Sequence, residues 1–331
     1  MNIPDLPDAL AAAAFKQDFG SRFIITVDTE EEFDWSAPIS RDGYGLGAVP
    51  ALARFQEFCE SCGVVPVYLI DYPIAGSPQA GEVLGPAVTA GKAELGVHLH
   101  PWVNPPFDEE VCNANSFAGN LPEELEAGKF RVLIAAIRDN FGVSPSIYRA
   151  GRYGVGPNTA KILKANGILI DSSVRARFDY SSGGGPNFAR HPLHPYWIDA
   201  AHSLLELPLT SVYRGALRRL GHAIYPRLDR LPVVRSVLAR TGMLERIPLT
   251  PEGVTAQEAI RGIATALDDG LGLLVFSFHS PSLAAGHTPY VRSVEDLDAF
   301  YAWWRCVFAY LEKRGVAPTN VGEIASAVAL A

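Results

Sequence analysis

The hydrophobic pattern of the chain begins with a short apolar run that ends abruptly in acids. Residues 22–27, RFIITV, are mostly β-branched or aromatic, which favours a buried strand. Side chains two residues apart in an extended chain share a face, so Asp28 and Glu30 are expected to converge at the strand's carboxyl end. Carboxylates gathered there repel one another unless a metal ion or a proton holds them. The stretch therefore predicts either a binding site or a solvated acidic turn.

Further apolar segments of strand length alternate with amphipathic segments along the chain. Further strands are predicted at 64–70, 94–101, 146–154, 168–174, 204–209 and 273–278. Helices are predicted at 49–62, 81–90, 122–141, 157–166, 256–269 and 293–315. Such alternation is typical of parallel β-α-β units, and seven of them in 331 residues favour a closed barrel over an open sheet. The predicted fold is a single α/β domain over 1–331, similar to a TIM barrel.

Composition excludes several classes of protein. The chain is 48% hydrophobic and 19% charged, enough to bury a large core. No apolar run reaches the roughly 20 residues of a membrane span, and the first residues lack the basic and apolar regions of a signal peptide. A cytoplasmic protein is therefore expected. The net charge of −8 argues against general nucleic-acid binding.

The cysteines predict neither a disulfide framework nor a zinc site. Cys59 and Cys62 form a CxxC pair inside a helical pattern that Gly63 ends. No second pair is present to complete four metal ligands. Both thiols are therefore expected to pack in the helix.

One segment differs from the rest of the chain in charge. Residues 211–247 contain eight arginines against only Asp229 and Glu245, a local charge of +6. Their apolar residues are spaced for amphipathic helices, so a helical insertion is predicted at about 211–250, between the sixth and seventh barrel units. It can be a lid with a solvated basic surface. Alternatively, it can bind anionic partners such as nucleotide-diphosphate sugars or acidic lipid headgroups.

Two histidines end the third predicted strand, ELGVHLHPW. His98 and His100 are two residues apart and share a face, at the same end of the sheet as Asp28 and Glu30. A lone histidine is usually a core residue, but two imidazoles facing a carboxylate are typical of a metal site with open positions. The spacing does not decide whether Asp28 or Glu30 is the metal's carboxylate.

The ends of the later strands add acid–base candidates. Arg149 ends the fourth strand with Arg152 and Tyr153, and an arginine there can keep a catalytic carboxylate ionised or simply balance charge. Asp171 ends the fifth strand and can pair with that arginine or cap a turn. His279 follows the last apolar run, in the place expected for a general acid.

The order of VDTE, HLHP, RAGRYG, DSS and FSFH over residues 22–285 resembles the polysaccharide deacetylase family. The resemblance implies a distorted (β/α)7 barrel that removes acetyl groups from sugars with a divalent metal. It also assigns the catalytic base, the first metal histidine, the motif arginine and the acid, in that order, to Asp28, His98, Arg149 and His279.

The chain departs from the family's pattern at three places. Thr29 occupies the position of the usual metal-binding aspartate, so either Glu30 supplies that carboxylate or Asp28 enters the metal shell. Trp102 occupies the position of the second metal histidine, so His100 is its substitute. The segment from Arg149 to Tyr153 is also longer than the family's arginine, proline, aromatic motif.

These observations predict a metal-dependent hydrolase of carbon–nitrogen bonds. It would remove an acyl group from an amino sugar, or from a nucleotide-linked or lipid-linked precursor of a surface polysaccharide. The expected metal is zinc, held by His98, His100 and Glu30. The alternatives are a deformylase or amidase acting on a small non-sugar amide, and a metal-free glycan-binding protein. The residues expected to contact the substrate are Trp102, Arg152, Tyr153 and Asp171.

Overall fold

A computed structural model describes residues 2–8, 11–228 and 231–328. The strands and helices alternate from the first strand onward, as the hydrophobic pattern predicts. The strands are β1 Arg22–Thr29, β2 Val67–Ile70, β3 Glu94–Leu99, β4 Ile147–Ala150, β5 Ile170–Asp171, β6 Tyr196–Trp197, β7 Leu205–Glu206, β8 Ser211–Arg214, β9 Glu245–Pro248, β10 Leu273–His279 and β11 Ala317–Pro318.

The helices surround the sheet, and α1, α3, α4, α5, α8 and α9 begin and end within a few residues of their predicted limits. Two of the longer ones, α8 and α9, begin with capping boxes, at Thr255 and Ser293. The helices are α1 Ala51–Ser61, α2 Tyr72–Ala75, α3 Pro78–Thr89, α4 Glu123–Phe141, α5 Thr159–Ala165, α6 Gly221–Leu228, α7 Pro232–Arg240, α8 Ala256–Asp268, α9 Val294–Lys313 and α10 Val321–Ala327.

The main sheet is curled and has the strand order β10-β1-β2-β3-β4-β5-β7-β6. The strands from β10 to β7 are parallel, and β6 pairs with β7 in the antiparallel direction. β7 and β10 do not pair as neighbouring strands. Thr210, which follows β7, bridges the gap between them, because its amide donates to the carbonyl of Val275 on β10 at 3.2 Å. The predicted α/β fold with a distorted barrel is confirmed.

The core has two layers because the parallel strands are buried on both sides. Side chains on one side, such as Phe23 and Ile25, pack against the surrounding helices. Alternate side chains, such as Ile24 and Val275, fill the barrel interior. No helix in the described part of the chain is long and apolar enough to cross a membrane.

The Arg-rich segment contains strands as well as the predicted helices. β8 and β9 form an antiparallel pair, and α6 and α7 lie between them. Tyr213, Tyr225, Leu228 and Leu244 form a small core of their own there. Asp229 and Arg230 lie outside the described residues.

The expectation for the cysteines is half correct. Cys59 is buried on α1, whereas Cys62 follows the helix end and is exposed. The prediction that both thiols pack in the helix is therefore wrong for Cys62, because the helix ends at Ser61. Each cysteine is free.

Candidate active site

The predicted catalytic and metal residues meet at the carboxyl ends of neighbouring strands. In the β1–β10 pair, Asp28 lies opposite His279, and in the β3–β4 pair, His98 lies opposite Arg149. Because all these strands are parallel, their ends lie at the same edge of the sheet. The parallel register therefore places the four side chains in one site.

Asp28 is buried and bound to a buried arginine. Arg149 Nη1 donates to Asp28 Oδ1 at 2.5 Å, and Arg149 Nη2 donates to Thr26 Oγ1 at 2.7 Å. Burial alone would raise the pKa of Asp28, but nearby positive charge, that of Arg149 above all, outweighs it and holds that pKa below its ordinary value. Asp28 is therefore an ionised carboxylate with a fixed orientation.

Glu30 lies between the two histidines. Its Oε2 is 3.4 Å from His98 Nε2 and 3.4 Å from His100 Nε2, and all three side chains are buried. Glu30 Oε1 is buried and has no hydrogen-bond partner. The three donor atoms lie within 4.8 Å of one another and form a group able to hold a metal ion.

The hydrogen bonds of the other ring nitrogens fix both tautomers. His98 Nδ1 donates to the carbonyl oxygen of Arg149 at 3.0 Å, and His100 Nδ1 donates to Glu31 Oε2 at 2.8 Å. In a neutral ring the remaining nitrogen, Nε2, then carries a lone pair that faces Glu30. Two nitrogen lone pairs and a carboxylate oxygen facing one another are the arrangement that a divalent cation satisfies.

The pKa values of these groups agree with that arrangement. Burial lowers the pKa of His98, and it lowers the pKa of His100 to about 4, so both rings are neutral near pH 7. Burial raises the pKa of Glu30 to about 7. The donor set of two neutral imidazoles and one carboxylate therefore fits a divalent transition metal.

A second set of side chains supports His100. Trp102 stacks on its ring with centroids 4.2 Å apart, and Trp102 Nε1 donates to Glu31 Oε1 at 2.9 Å. The amide of Glu31 donates to Asp71 Oδ2 at 2.8 Å. Trp102 is only 6% exposed, so the structure places it behind His100. Its predicted contact with the substrate stays a prediction.

Close packing at Gly151 also positions His100. A Cβ atom at Gly151 would lie 2.3 Å from His100 Cδ2 and 2.6 Å from the carbonyl oxygen of Leu99. Such distances are sterically forbidden, so only glycine lets the ring occupy this position. This glycine of the RAGRYG motif therefore serves the metal group rather than the turn alone.

His279 is held by a glutamate that the sequence analysis does not identify. Its Nδ1 donates to Glu252 Oε2 at 2.7 Å, and its Nε2 lies 3.9 Å from Asp28 Oδ2. Burial opposes the charged ring, but Glu252, Glu30 and Asp28 outweigh burial and raise the pKa of His279 to about 10. His279 therefore carries a proton beside the ionised Asp28.

What we call the aromatic rim has four aromatic residues, the part-exposed Trp35, Tyr153 and Tyr180 and the exposed Tyr290. Trp35 lies edge-on to His279 with ring centroids 5.1 Å apart, and Tyr290 lies 5.9 Å from Trp35. Tyr153 packs on Tyr180 at 5.5 Å. Aromatic walls beside a few convergent polar groups are typical of small-molecule sites.

Arg175 lies against the aromatic rim. Its guanidinium stacks 4.1 Å above Phe178 and 5.2 Å from the Tyr153 ring, and its Nη1 donates to the Tyr180 hydroxyl at 3.2 Å. It also lies within electrostatic range of Tyr290, as does Glu252. Within residues 2–8, 11–228 and 231–328, Arg175 forms no ion pair with a carboxylate.

The two remaining predicted substrate residues have different surroundings. Arg152 is part-exposed and donates to Asn113 Oδ1 at 2.8 Å and to the Ser116 hydroxyl. Asp171 is fully buried, accepts a hydrogen bond from Ser173 at 2.6 Å and lies opposite Glu206 in the sheet. The structure thus places Asp171 beneath the site rather than on its accessible wall, and both substrate contacts stay predictions.

Comparison with known proteins agrees with this architecture. No family model and no curated protein matches the chain. A structure of a candidate polysaccharide deacetylase from Mycobacterium smegmatis matches at 20% identity with a TM-score of 0.55, covering 98% of this chain and 95% of the other. The PuuE allantoinase matches at 13% identity with a TM-score of 0.52, covering 97% of each chain. The chain therefore has the fold of the polysaccharide deacetylases, the family that its motifs resemble.

Proposed function

We propose that the protein is a metal-dependent hydrolase that removes an acyl group from the nitrogen of an amino sugar. The observation that carries this proposal is the pairing of two groups at one sheet edge. Glu30 faces the unprotonated nitrogens of His98 and His100, and an ionised Asp28 lies beside a protonated His279. A metal group, a base and an acid are the parts that amide hydrolysis needs.

We propose zinc as the metal and His98, His100 and Glu30 as its protein ligands. Asp28 Oδ1 is instead bound by Arg149, which supports a separate role for Asp28 as the base. When bound, a divalent ion supplies a Lewis acid and lowers the pKa of a water molecule. The site retains its neutral histidines near pH 7, while Glu30 must give up its proton to bind the ion.

The chain's own residues handle the protons. Asp28 accepts the proton of the attacking water, and Arg149 keeps Asp28 ionised for that purpose. The water oxygen forms a bond with the acyl carbon, and the carbon–nitrogen bond then breaks. His279 donates its proton to the leaving amine while Glu252 holds its Nδ1.

We propose further that the substrate carries an anionic group, as a nucleotide-linked or lipid-linked sugar does. Arg175 supports this, because its guanidinium has no carboxylate partner in the described chain and lies on the aromatic rim. Arginine binds phosphate and carboxylate groups through its planar fork of donors. Arg175→Gln should lower kcat/KM for a nucleotide-linked acyl sugar more than for the same neutral free sugar.

A second candidate is an amidase that acts on a small non-sugar amide. The fold it shares with an allantoinase favours this candidate. Parallel assays on N-acetylated amino sugars and on allantoin separate the two. Hydrolysis of allantoin alone would replace the sugar proposal.

The experiment that tests the proposed function combines metal analysis with activity. Wild type purified without chelators should hold about one divalent ion per chain and hydrolyse an N-acetylated amino sugar. Asp28→Asn should keep the metal and lose roughly 10²- to 10⁴-fold in kcat, because it removes only the proton acceptor. Loss of metal in Asp28→Asn would move Asp28 into the metal shell. A wild type without metal or activity would favour the glycan-binding alternative.

A further inference from the structure

The segment 211–248, here called the helical hairpin, exposes aliphatic side chains. None of the described residues of α7 is buried. Concentrated exposed aliphatic side chains mark an interaction surface in a water-soluble protein. The exposed fractions are Leu220 52%, Leu231 51%, Val233 75%, Val234 45% and Val237 52%.

These side chains are not needed for the hairpin's own packing. Val233 and Val237 are four residues apart and so lie on the same side of α7. Leu238 instead packs against the small core of Tyr213, Tyr225, Leu228 and Leu244. The valines therefore form an outward apolar surface with no partner in the described chain.

Exposed arginines lie on the same hairpin. Arg219, Arg227 and Arg240 are exposed, and none of them forms an ion pair with a described carboxylate. The sequence from 215 to 243 contains a single acidic residue, Asp229, which lies outside the described residues. The segment carries +6 on a chain whose total is −8, so the cationic charge is concentrated at the hairpin.

We infer that the helical hairpin docks on a lipid surface that contains anionic headgroups. Exposed valines can enter the boundary between headgroups and acyl chains, while the neighbouring arginines bind the headgroups. The acidic remainder of the chain is repelled by such a surface, which orients the molecule with α7 towards the lipid. Charge and apolar surface therefore point to the same partner.

Other partners fit these observations less well. A symmetric dimer through α7 would bring two copies of the same cationic segment together, because a two-fold interface pairs the same surface of both copies. Nucleic acid would use the arginines but would leave Val233 and Val237 unexplained.

The base of the hairpin contacts a ring beside the candidate active site. Arg246 of β9 stacks on Phe178 at 3.7 Å, and Arg175 lies over the same ring at 4.1 Å. The base of the hairpin is thus joined to the aromatic rim. The inference on docking does not depend on the proposed hydrolase activity, since it rests on the hairpin alone.

Co-sedimentation of the full chain with vesicles tests the inference. Vesicles of phosphatidylcholine with about one-third phosphatidylglycerol should carry the protein into the pellet, and vesicles of phosphatidylcholine alone should not. Raising the salt concentration should weaken the binding, because exposed charges are screened within about 8 Å at physiological ionic strength. No sedimentation with either vesicle would overturn the inference.

Two sets of variants separate the charged and apolar contributions. Changing Arg219, Arg227 and Arg240 to Gln should weaken vesicle binding on the order of a hundredfold, since each arginine near an anionic surface adds about tenfold or less. The control changes three exposed arginines elsewhere to Gln, namely Arg131, Arg138 and Arg305.

The valine variants have a matched control on α9. Val233→Ser should weaken binding roughly tenfold, because it removes an aliphatic side chain from the interface. Val294→Ser changes a valine that is 64% exposed outside the hairpin and should leave binding unchanged. Equal effects of the hairpin and control variants would overturn the inference. So would a dimer in light scattering that Val233→Ser converts to a monomer.

Discussion

The candidate active site contains histidines in two opposite protonation states, with His98 and His100 on one side and His279 on the other. His98 and His100 have lowered pKa values and face Glu30 as neutral rings, whereas the pKa of His279 is raised to about 10. All three lie in or beside the carboxyl ends of parallel strands. The difference lies in which effect is larger, because burial determines the pKa of His98 and His100, whereas the carboxylates around His279, Glu252 first among them, outweigh burial.

The surroundings therefore assign the roles. His98 meets a backbone carbonyl, which fixes a tautomer without adding charge. His279 meets the carboxylate of Glu252 directly and lies beside Asp28, and these charges outweigh burial. A neutral ring can bind a metal and a protonated ring can supply an acid, so neighbouring groups decide the chemistry of each histidine.

Replacing the two neutral histidines, His98 and His100, should have the largest effect on metal binding and activity. Changing both His98 and His100 to Ala should abolish metal binding, because only Glu30 of the donor group remains. Metal content measured on protein purified without chelators checks this, and hydrolysis should fall to background. An unchanged metal content in a variant that folds normally would contradict the proposed ligand set.

Removing the charged histidine should affect activity alone. His279→Ala should lower kcat by roughly 10²- to 10⁴-fold and remove the alkaline limb of the kcat/KM profile, while the metal content stays the same. His287→Ala is a suitable control, because His287 pairs with Glu32 at 3.0 Å and is outside the metal group. Metal loss in His279→Ala would show that the metal group of His98, His100 and Glu30 is not independent of His279.

Changing the carboxylate partner of each histidine should give smaller, distinct effects. Glu252→Gln removes a charge that raises the pKa of His279, so that pKa should fall and the alkaline limb should move to lower pH. Glu31→Gln should instead weaken metal binding by about 10- to 100-fold, the usual effect of changing a group that orients a ligand. Measured pH profiles and metal titrations of both variants test the distinction, and identical behaviour would refute it.

The smallest expected effect concerns a buried carboxyl group outside the site. Burial raises the pKa of Glu126 to about 7, as it does for Glu30, but Glu126 is bonded to Thr159 at 2.5 Å and faces no imidazole pair. Because the pKa is 4.5 in the unfolded chain and about 7 in the folded one, protonated Glu126 contributes its full stability below pH 4.5. This contribution to the free energy of unfolding is lost as the pH rises through 7.

Glu126→Gln cannot ionise, so it should be more stable than wild type above pH 7, by about 1–3 kcal/mol. Denaturant unfolding at pH 5 and pH 8 measures the free energy of unfolding of both proteins. A difference that does not grow with pH would contradict the raised pKa.

The sequence predicted the strand ends well because parallel sheets place them at one edge. Asp28, His98 and Arg149 could be located from apolar runs that stop at polar residues, without knowledge of their partners. The hydrogen bonds of His100 and the separation of the Glu30 and Asp28 side chains depend on side-chain packing. The spacing of residues along the sequence does not predict either. The structure groups Glu30, rather than Asp28, with the two histidines, and the metal content of Asp28→Asn tests that choice.

Three other features could not be predicted from the residues around them in the sequence. Glu252 lies after β9, beyond the Arg-rich segment, and reaches His279 because the segment after β9 lies beside β10, where the Ser277 amide donates to the carbonyl of Leu249 at 3.3 Å. Arg175 lies after a strand of only two residues, and its role is suggested only by the aromatic rings that it contacts in the structure. The antiparallel pair β8–β9 was missed because its strands are short and flank helices with a stronger pattern.

Arg149 connects the two sides through different parts of one residue. Its guanidinium holds Asp28, and its backbone carbonyl holds the ring of His98. A side-chain substitution removes the first contact and leaves the second, because every amino acid keeps the carbonyl. In evolutionary terms, under the proposed mechanism a single missense change at this codon would remove the partner of Asp28 and leave the contact that orients His98 in place.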